Sequence, residues 1–149
     1  MKKVPALVDG SLRMGESHAI IDYLIQKHQI QEQWGWDDLP LRARVQEYLH
    51  YHHTNTRKCA MLLFSQLFSK LYPVQGQDLL PPNIAQEVAG VIDFLEEHYF
   101  KESAFLIGKK ITPADLAAYF ELQSLDLLDF SFKKWPKVQK WMKNIGEVP

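Results

Sequence analysis

The sequence predicts a small α+β segment, a β-hairpin plus a helix, followed by an all-α domain. Three observations carry this. A short apolar run, Val4-Pro5-Ala6-Leu7-Val8, leads into Asp9-Gly10, a strong two-residue hairpin signal. From Ser17 onward Ala19, Ile20, Tyr23 and Leu24 fall at helical spacing. After Pro40 the chain reads as helix, with few β-branched runs.

Taken in order, residues 4–8 form a strand, Asp9-Gly10 form the centre of a type I′ turn, and Ser11 to Met14 return. Gly15 ends the hairpin, and a helix runs from Ser17 to about residue 29. Residues 31–39 have no clear period and read as a linker anchored by Trp34 and Trp36. One long helix is expected from near Pro40 to near Leu71, with Val45, Leu49, Ala60, Leu63, Leu67 and Leu71 on one stripe and Pro73 as its stop. Pro81-Pro82 opens a second helix with Val88, Val91, Ile92 and Leu95 inward, and Gly108 is a break. A third begins at Thr112-Pro113-Ala114-Asp115 and runs through Leu116, Phe120 and Leu127. A fourth starts at Trp135-Pro136, with Val138, Trp141, Met142 and Ile145 inward.

The start of the third helix is the best specified. Thr112 is the N-cap, Pro113 sits at N1 where its missing N–H is harmless, and Asp115 at N3 reaches back as in a capping box. Ile111 and Leu116 take the staple positions. This pattern is structural.

At 149 residues the chain suits one domain, or one domain plus a fragment. Its 46% apolar and 23% charged content reads as globular. A net charge of −1 gives no basic excess, so neither nucleic acid nor an anionic membrane is expected as partner. No apolar run approaches the ~20 residues of a membrane span. No secretory h-region follows the N-terminal lysines. The single cysteine, Cys59, forbids an internal disulfide, suits a reducing compartment, and is expected buried and inert. The expected location is cytoplasmic.

Two segments point to binding. A strand led in by Val4-Pro5 beside a helix starting on Glu16-Ser17 offers a peptide backbone and an anion site at a helix N-terminus. Simple helix capping by Ser17 and an edge proline are the alternatives. His50, His52 and His53 cluster in sequence, but no carboxylate or cysteine at ligand spacing completes a metal site, so no metal is expected.

In their order and spacing, five pieces resemble the glutathione transferases, most closely the theta class. They are Lys3-Val4-Pro5-Ala6-Leu7, Asp9-Gly10, Glu16-Ser17-x-Ala19-Ile20-x-x-Tyr23-Leu24, Ala43-Arg44-Val45-x-Glu47-Tyr48-Leu49 and Ile111-Thr112-Pro113-Ala114-Asp115-Leu116. The resemblance implies a partial thioredoxin-like, glutathione-binding domain over residues 1–30, a linker over 31–39 and an all-α C-terminal domain over 40–149. It implies a cis Val4-Pro5 bond that turns the Val4 N–H and C=O toward the cysteinyl backbone of glutathione. Ser17 would take the γ-glutamyl carboxylate, Glu16 would accept from the γ-glutamyl ammonium or hold the turn, and Lys3 would pair with the glycyl carboxylate or stay solvated. His53, Thr54 and Arg57 would face the pocket, Arg57 stabilising a thiolate or an anionic leaving group.

The implied activity is conjugation of the glutathione thiolate to small electrophiles in detoxification, by a homodimer. The resemblance also implies an N-terminally truncated form. Residues 1–30 match only the second half of the thioredoxin-like domain, and no residue matches the serine that activates the thiol in theta-like members. The expectation is therefore no catalytic residue, weak or absent activity for this chain alone, and a weakly held N-terminal piece. A non-catalytic glutathione- or protein-binding module built on the helical domain is the alternative. An enzyme completed by another chain is a third possibility.

Overall fold

The computed structural model describes residues 4–71, 83–100 and 103–148, with backbone alone at 68–71. It begins with an antiparallel pair, β1 (Ala6–Asp9) and β2 (Leu12–Gly15), in the register Ala6↔Gly15 to Asp9↔Leu12. The turn is therefore centred on Gly10-Ser11, one residue later than Asp9-Gly10. Only the first central residue has positive φ, Gly10 at 57°, which is the demand of a II′ rather than a I′ turn. Asp9 is thereby left in the strand. Its carboxylate accepts from the Tyr23 hydroxyl at 2.6 Å and pairs with Lys27, tying the hairpin to the next helix. Gly15 closes β2 rather than breaking it.

Helix α1 (Ser17–Lys27) places Ile25 in the core. The expected linker contains a helical turn, α2 (Gln31–Trp34), and then buries Trp36. The Trp36 indole N–H donates to Asp22 of α1, and Asp22 also receives Arg42 at 2.9 Å. The helical part of the N-terminal segment is thus docked firmly. The hairpin, tied to α1 through Asp9, leaves Val8 and Leu12 exposed.

The long helix expected over 40–71 is two. Helix α3 (Leu39–His52), capped by the Asp38 side chain on the Leu41 N–H, stops before helix α4 (Lys58–Leu71) begins. The break lies in His53-Thr54-Asn55-Thr56-Arg57, where side chains compete for backbone and buried partners. Asn55 donates to the Tyr51 carbonyl, the Thr56 hydroxyl bonds the buried Tyr48 hydroxyl at 2.9 Å, and the Arg57 N–H reaches the His52 carbonyl. The break also shifts the phase of the stripe. Val45, Leu49 and Leu63 are buried, but Leu67 is exposed. The Leu71 side chain, the Pro73 stop and the Pro81-Pro82 start lie outside the described residues.

Helix α5 (Ile84–Phe94) buries Val88, Val91 and Ile92 and widens into a π-helical turn at Leu95–Tyr99. Helix α6 (Pro113–Gln123) is shorter than expected and tightens into a 3₁₀ turn, Ser124–Leu128, that ends on Asp129 at φ 54°. Phe120 and Leu127, through which this helix was expected to run, are exposed at 64% and 75%. The inward face is instead Ala114, Ala118 and Leu122, because α6 runs through the centre of the bundle and small residues allow close approach to its neighbours. Helix α7 (Pro136–Gly146) buries Val138, Trp141 and Ile145 as expected. Its first N–H groups are capped by Glu96 of the π-turn, which accepts from Lys137 and Val138.

The capping motif at α6 does more than cap. Asp115 is fully buried and accepts four hydrogen bonds. They come from the Thr112 N–H (2.9 Å) and hydroxyl (3.0 Å), the Leu106 N–H (2.7 Å) and the Trp141 indole (3.0 Å). One carboxylate therefore joins the loop before α6, the start of α6 and the middle of α7. Cys59 is buried, and burial pushes its thiol up to about 12, so it stays a neutral core residue.

Candidate functional site

A cleft of about 450 Å³ opens where the hairpin, the start of α1 and the α3–α4 turn meet. It is lined by Val4, Pro5 and Ala6, by Arg13, Met14 and Gly15, by Glu16 and Ser17, and by His53 and Arg57. The break between α3 and α4 brings the last two there. Thr54, also expected at the pocket, does not line it and shares a hydrogen bond with Asn55. Lys3 lies outside the described residues.

Each wall has a physical cause. The Val4-Pro5 bond is cis, and Val4 lies beyond the last ladder pair, Ala6↔Gly15, with 93% of its surface exposed. Its backbone groups are thus outside the described ladder, where an extended peptide can pair with them. Glu16 occupies the N-cap position at φ 66° and ψ 107°, a left-handed conformation that a non-glycine residue adopts at a cost of about 1–3 kcal/mol. The first intrahelical bond of α1 runs from the Ile20 N–H to the Glu16 carbonyl. The N–H groups of the preceding turn therefore have no partner within the helix, and they carry the positive end of its dipole. The N-cap residue Glu16 makes no side-chain cap bond, so its side chain does not satisfy these N–H groups.

Behind the cleft lies a polar layer absent from the sequence expectations. Arg57, whose side chain is 53% exposed, donates from Nη1 to Oε1 of Glu121 on α6 at 3.0 Å. Glu121 is itself buried, and burial raises its carboxyl while Arg57 draws it back down. His52 Nε2 stands 3.5 Å from the same oxygen. The rings of His18, His52 and His53 lie within 4.8–5.6 Å of one another. Burial lowers His52 to about 3 and His18 to about 4, and neighbouring histidines and Arg57 reinforce the shift. Both are neutral near pH 7. Among the described residues no group of three His, Cys, Asp or Glu side chains is arranged to hold a metal ion.

Two participants were not anticipated. Arg13 lines the cleft from β2, beside Met14 and Gly15. Glu121 carried a readable signal, since it falls on the same helical face as Ala114 and Ala118, an acidic residue on an apolar stripe. A larger cavity, about 840 Å³, lies between α3, the π-turn and the loop before α6. It shares no residue with the cleft, and the α3 N-terminus at its wall, Pro40 and Leu41, is already capped by the Asp38 side chain.

A peptide edge, an uncapped helix start and two arginines meet on one cleft, a combination whose chemistry suits a small acidic peptide. Residues 65–149 match the family model for the glutathione S-transferase C-terminal domain, and residues 1–33 match the N-terminal domain model. The chain belongs to the glutathione S-transferase family. Its similar relatives are of the theta class. It is 36% identical to mouse glutathione S-transferase theta-3 over 97% of its own length and 61% of that protein. Human glutathione S-transferase T1-1 in its apo form superimposes with a TM-score of 0.83 at 34% identity, over 96% of this chain and 61% of that one. A human theta-class transferase in complex with the glutathione conjugate of 1-menaphthyl sulfate gives a TM-score of 0.82 at 30% identity, over 96% and 59%. The chain thus spans about three fifths of these relatives. Its short two-stranded sheet and helical bundle agree with part of a thioredoxin-like domain followed by the family's helical domain. No described helix is long and apolar enough to cross a membrane.

Proposed function

We propose that the cleft binds glutathione and forms the binding half of a theta-class conjugating site. The observation that carries this is the convergence of the exposed Val4 backbone, the free N-terminus of α1 and Arg57 on one cleft. Val4 pairs with the cysteinyl backbone, next to Pro5. The Ser17 hydroxyl and the first N–H groups of α1 hold the γ-glutamyl carboxylate, and Glu16 accepts from the γ-glutamyl ammonium. Lys3 meets the glycyl carboxylate. Arg57 stabilises negative charge at the sulfur or on a departing anion, with His53 beside it.

The proposed reaction class is attack of the glutathione thiolate on a small electrophile with an anionic leaving group, in detoxification. The relative whose structure holds the conjugate of 1-menaphthyl sulfate supports sulfate esters as candidates. A cytoplasmic homodimer is the proposed setting. No residue here matches the activating serine of theta-like members, and loss of one such donor typically costs ~10² to 10³ in rate. These 149 residues on their own therefore turn over weakly or not at all.

The test is calorimetric titration of the purified chain with glutathione, alongside a conjugation assay with 1-menaphthyl sulfate. Saturable binding with little turnover is expected. No binding sinks the proposal, and full turnover overturns the reading of the missing donor.

A further inference from the structure

We propose that Glu121 is a positioning residue for Arg57, holding the guanidinium at the mouth of the cleft. This rests on the reading of the cleft as a glutathione site. Arg57 leaves the chain in a turn between two helices, and its long side chain is half in solvent. Such a side chain samples many rotamers unless a fixed partner selects one. Glu121 is that partner. It rises from the last turn of α6, between core residues Ala118 and Leu122, with its side chain 9% exposed. Among the described residues Arg57 uses one guanidinium nitrogen on it. A guanidinium has five N–H donors, so others remain for a ligand.

The arrangement is poor if stability were its purpose. Among the described residues, the second carboxylate oxygen of Glu121 and Nδ1 of His52 are buried without a close hydrogen-bond partner, although the Ala60 backbone N–H also favours the Glu121 carboxylate. An apolar residue of similar volume would avoid that penalty. The core instead keeps a charged group whose hydrogen bond leads into the cleft.

Charge and position predict opposite signs. Acting by charge alone, Glu121 lowers the positive potential of the cleft, and its removal tightens anion binding. Acting by position, its removal lets Arg57 swing away, and anion binding weakens. The readout is the affinity ratio of glutathione sulfonate, anionic at the sulfur end, over S-methylglutathione, neutral there. Both are titrated into the full chain.

The wild type is expected to favour the sulfonate by about tenfold, the scale of one charge-assisted contact. Arg57→Ala abolishes the preference, and Glu121→Ala abolishes it equally. Adding Glu121→Ala to Arg57→Ala changes nothing further. Glu121→Gln, which keeps an acceptor at the same reach, retains most of the preference. Glu121→Leu fills the volume without an acceptor and behaves as Glu121→Ala, which guards against a folding defect. A preference kept or raised in the alanine and leucine variants overturns the inference. A wild type that binds neither probe sinks the glutathione reading itself, and with it the role of Glu121.

Discussion

Replacing Asp115 with alanine strips one carboxylate from four buried donors. Two are backbone N–H groups, one is the Thr112 hydroxyl and one is the Trp141 indole. Each hydrogen bond to a charged group contributes about 1.5–3 kcal/mol, so the gross loss is about 6 kcal/mol or more. Burial opposes part of this, because it raises the Asp115 carboxyl and removing the group relieves that cost. The net expectation is about 3–5 kcal/mol, the usual range for breaking a buried charged network from one side. Against a total stability of about 5–15 kcal/mol this is a large fraction. At roughly 2–4 °C per kcal/mol for a chain of this size, the melting midpoint falls by about 10–15 °C. Asp115→Asn keeps one acceptor oxygen and loses about half as much.

Denaturant unfolding followed by circular dichroism gives the free energies. Trp141 fluorescence reports the released indole. A loss below about 1 kcal/mol for the alanine variant, or equal losses for alanine and asparagine, would refute the view of Asp115 as a hub rather than a simple cap.

Two further outcomes follow from the cleft and the layer behind it. His18 and His52 are held below their ordinary 6.5, at about 4 and about 3, chiefly by burial. Between pH 6.5 and about 4 the unfolded chain takes up protons that the folded chain refuses, so stability falls as pH drops through that window. Each group contributes at most about 1.4 kcal/mol per pH unit, and half-buried His18 less. His52→Gln should flatten the slope of stability against pH in that window, and an unchanged slope contradicts the assignment. Glu16→Gly relieves the positive φ, about 1–3 kcal/mol of strain less about 0.5–1 for glycine's added freedom when unfolded. Stability should hold or rise while glutathione binding weakens. A clear loss of stability would show that the Glu16 side chain holds the turn instead.

The order of elements was legible because it is written locally. Thr112-Pro113-Ala114-Asp115 announces its helix, and Val4-Pro5 with Glu16-Ser17 announces two walls of the cleft. What escaped depends on distant partners. The break at His53–Arg57 relies on the buried bond between Thr56 and Tyr48 and on backbone contacts that no apolar period reveals. The inward face of α6 is not announced by large residues, because Ala114 and Ala118 are inward by being small. The turn moved by one residue because positive φ is needed only at Gly10, and Arg13 pairs with Val8 rather than Ala6 as a result. The acidic stripe position of Glu121 was visible in the sequence, but its partner lies 64 residues away.

The central claim is that this cleft takes glutathione. Amide chemical-shift mapping of the isotope-labelled chain during a glutathione titration tests it most directly, with Ser17→Ala as control. The account predicts saturable shifts at Ala6, at Arg13 to Ala19 and at His53 to Arg57, weakened by Ser17→Ala. Shifts confined to Arg44, Tyr99 and Leu106 around the larger cavity, or none at all, would contradict it.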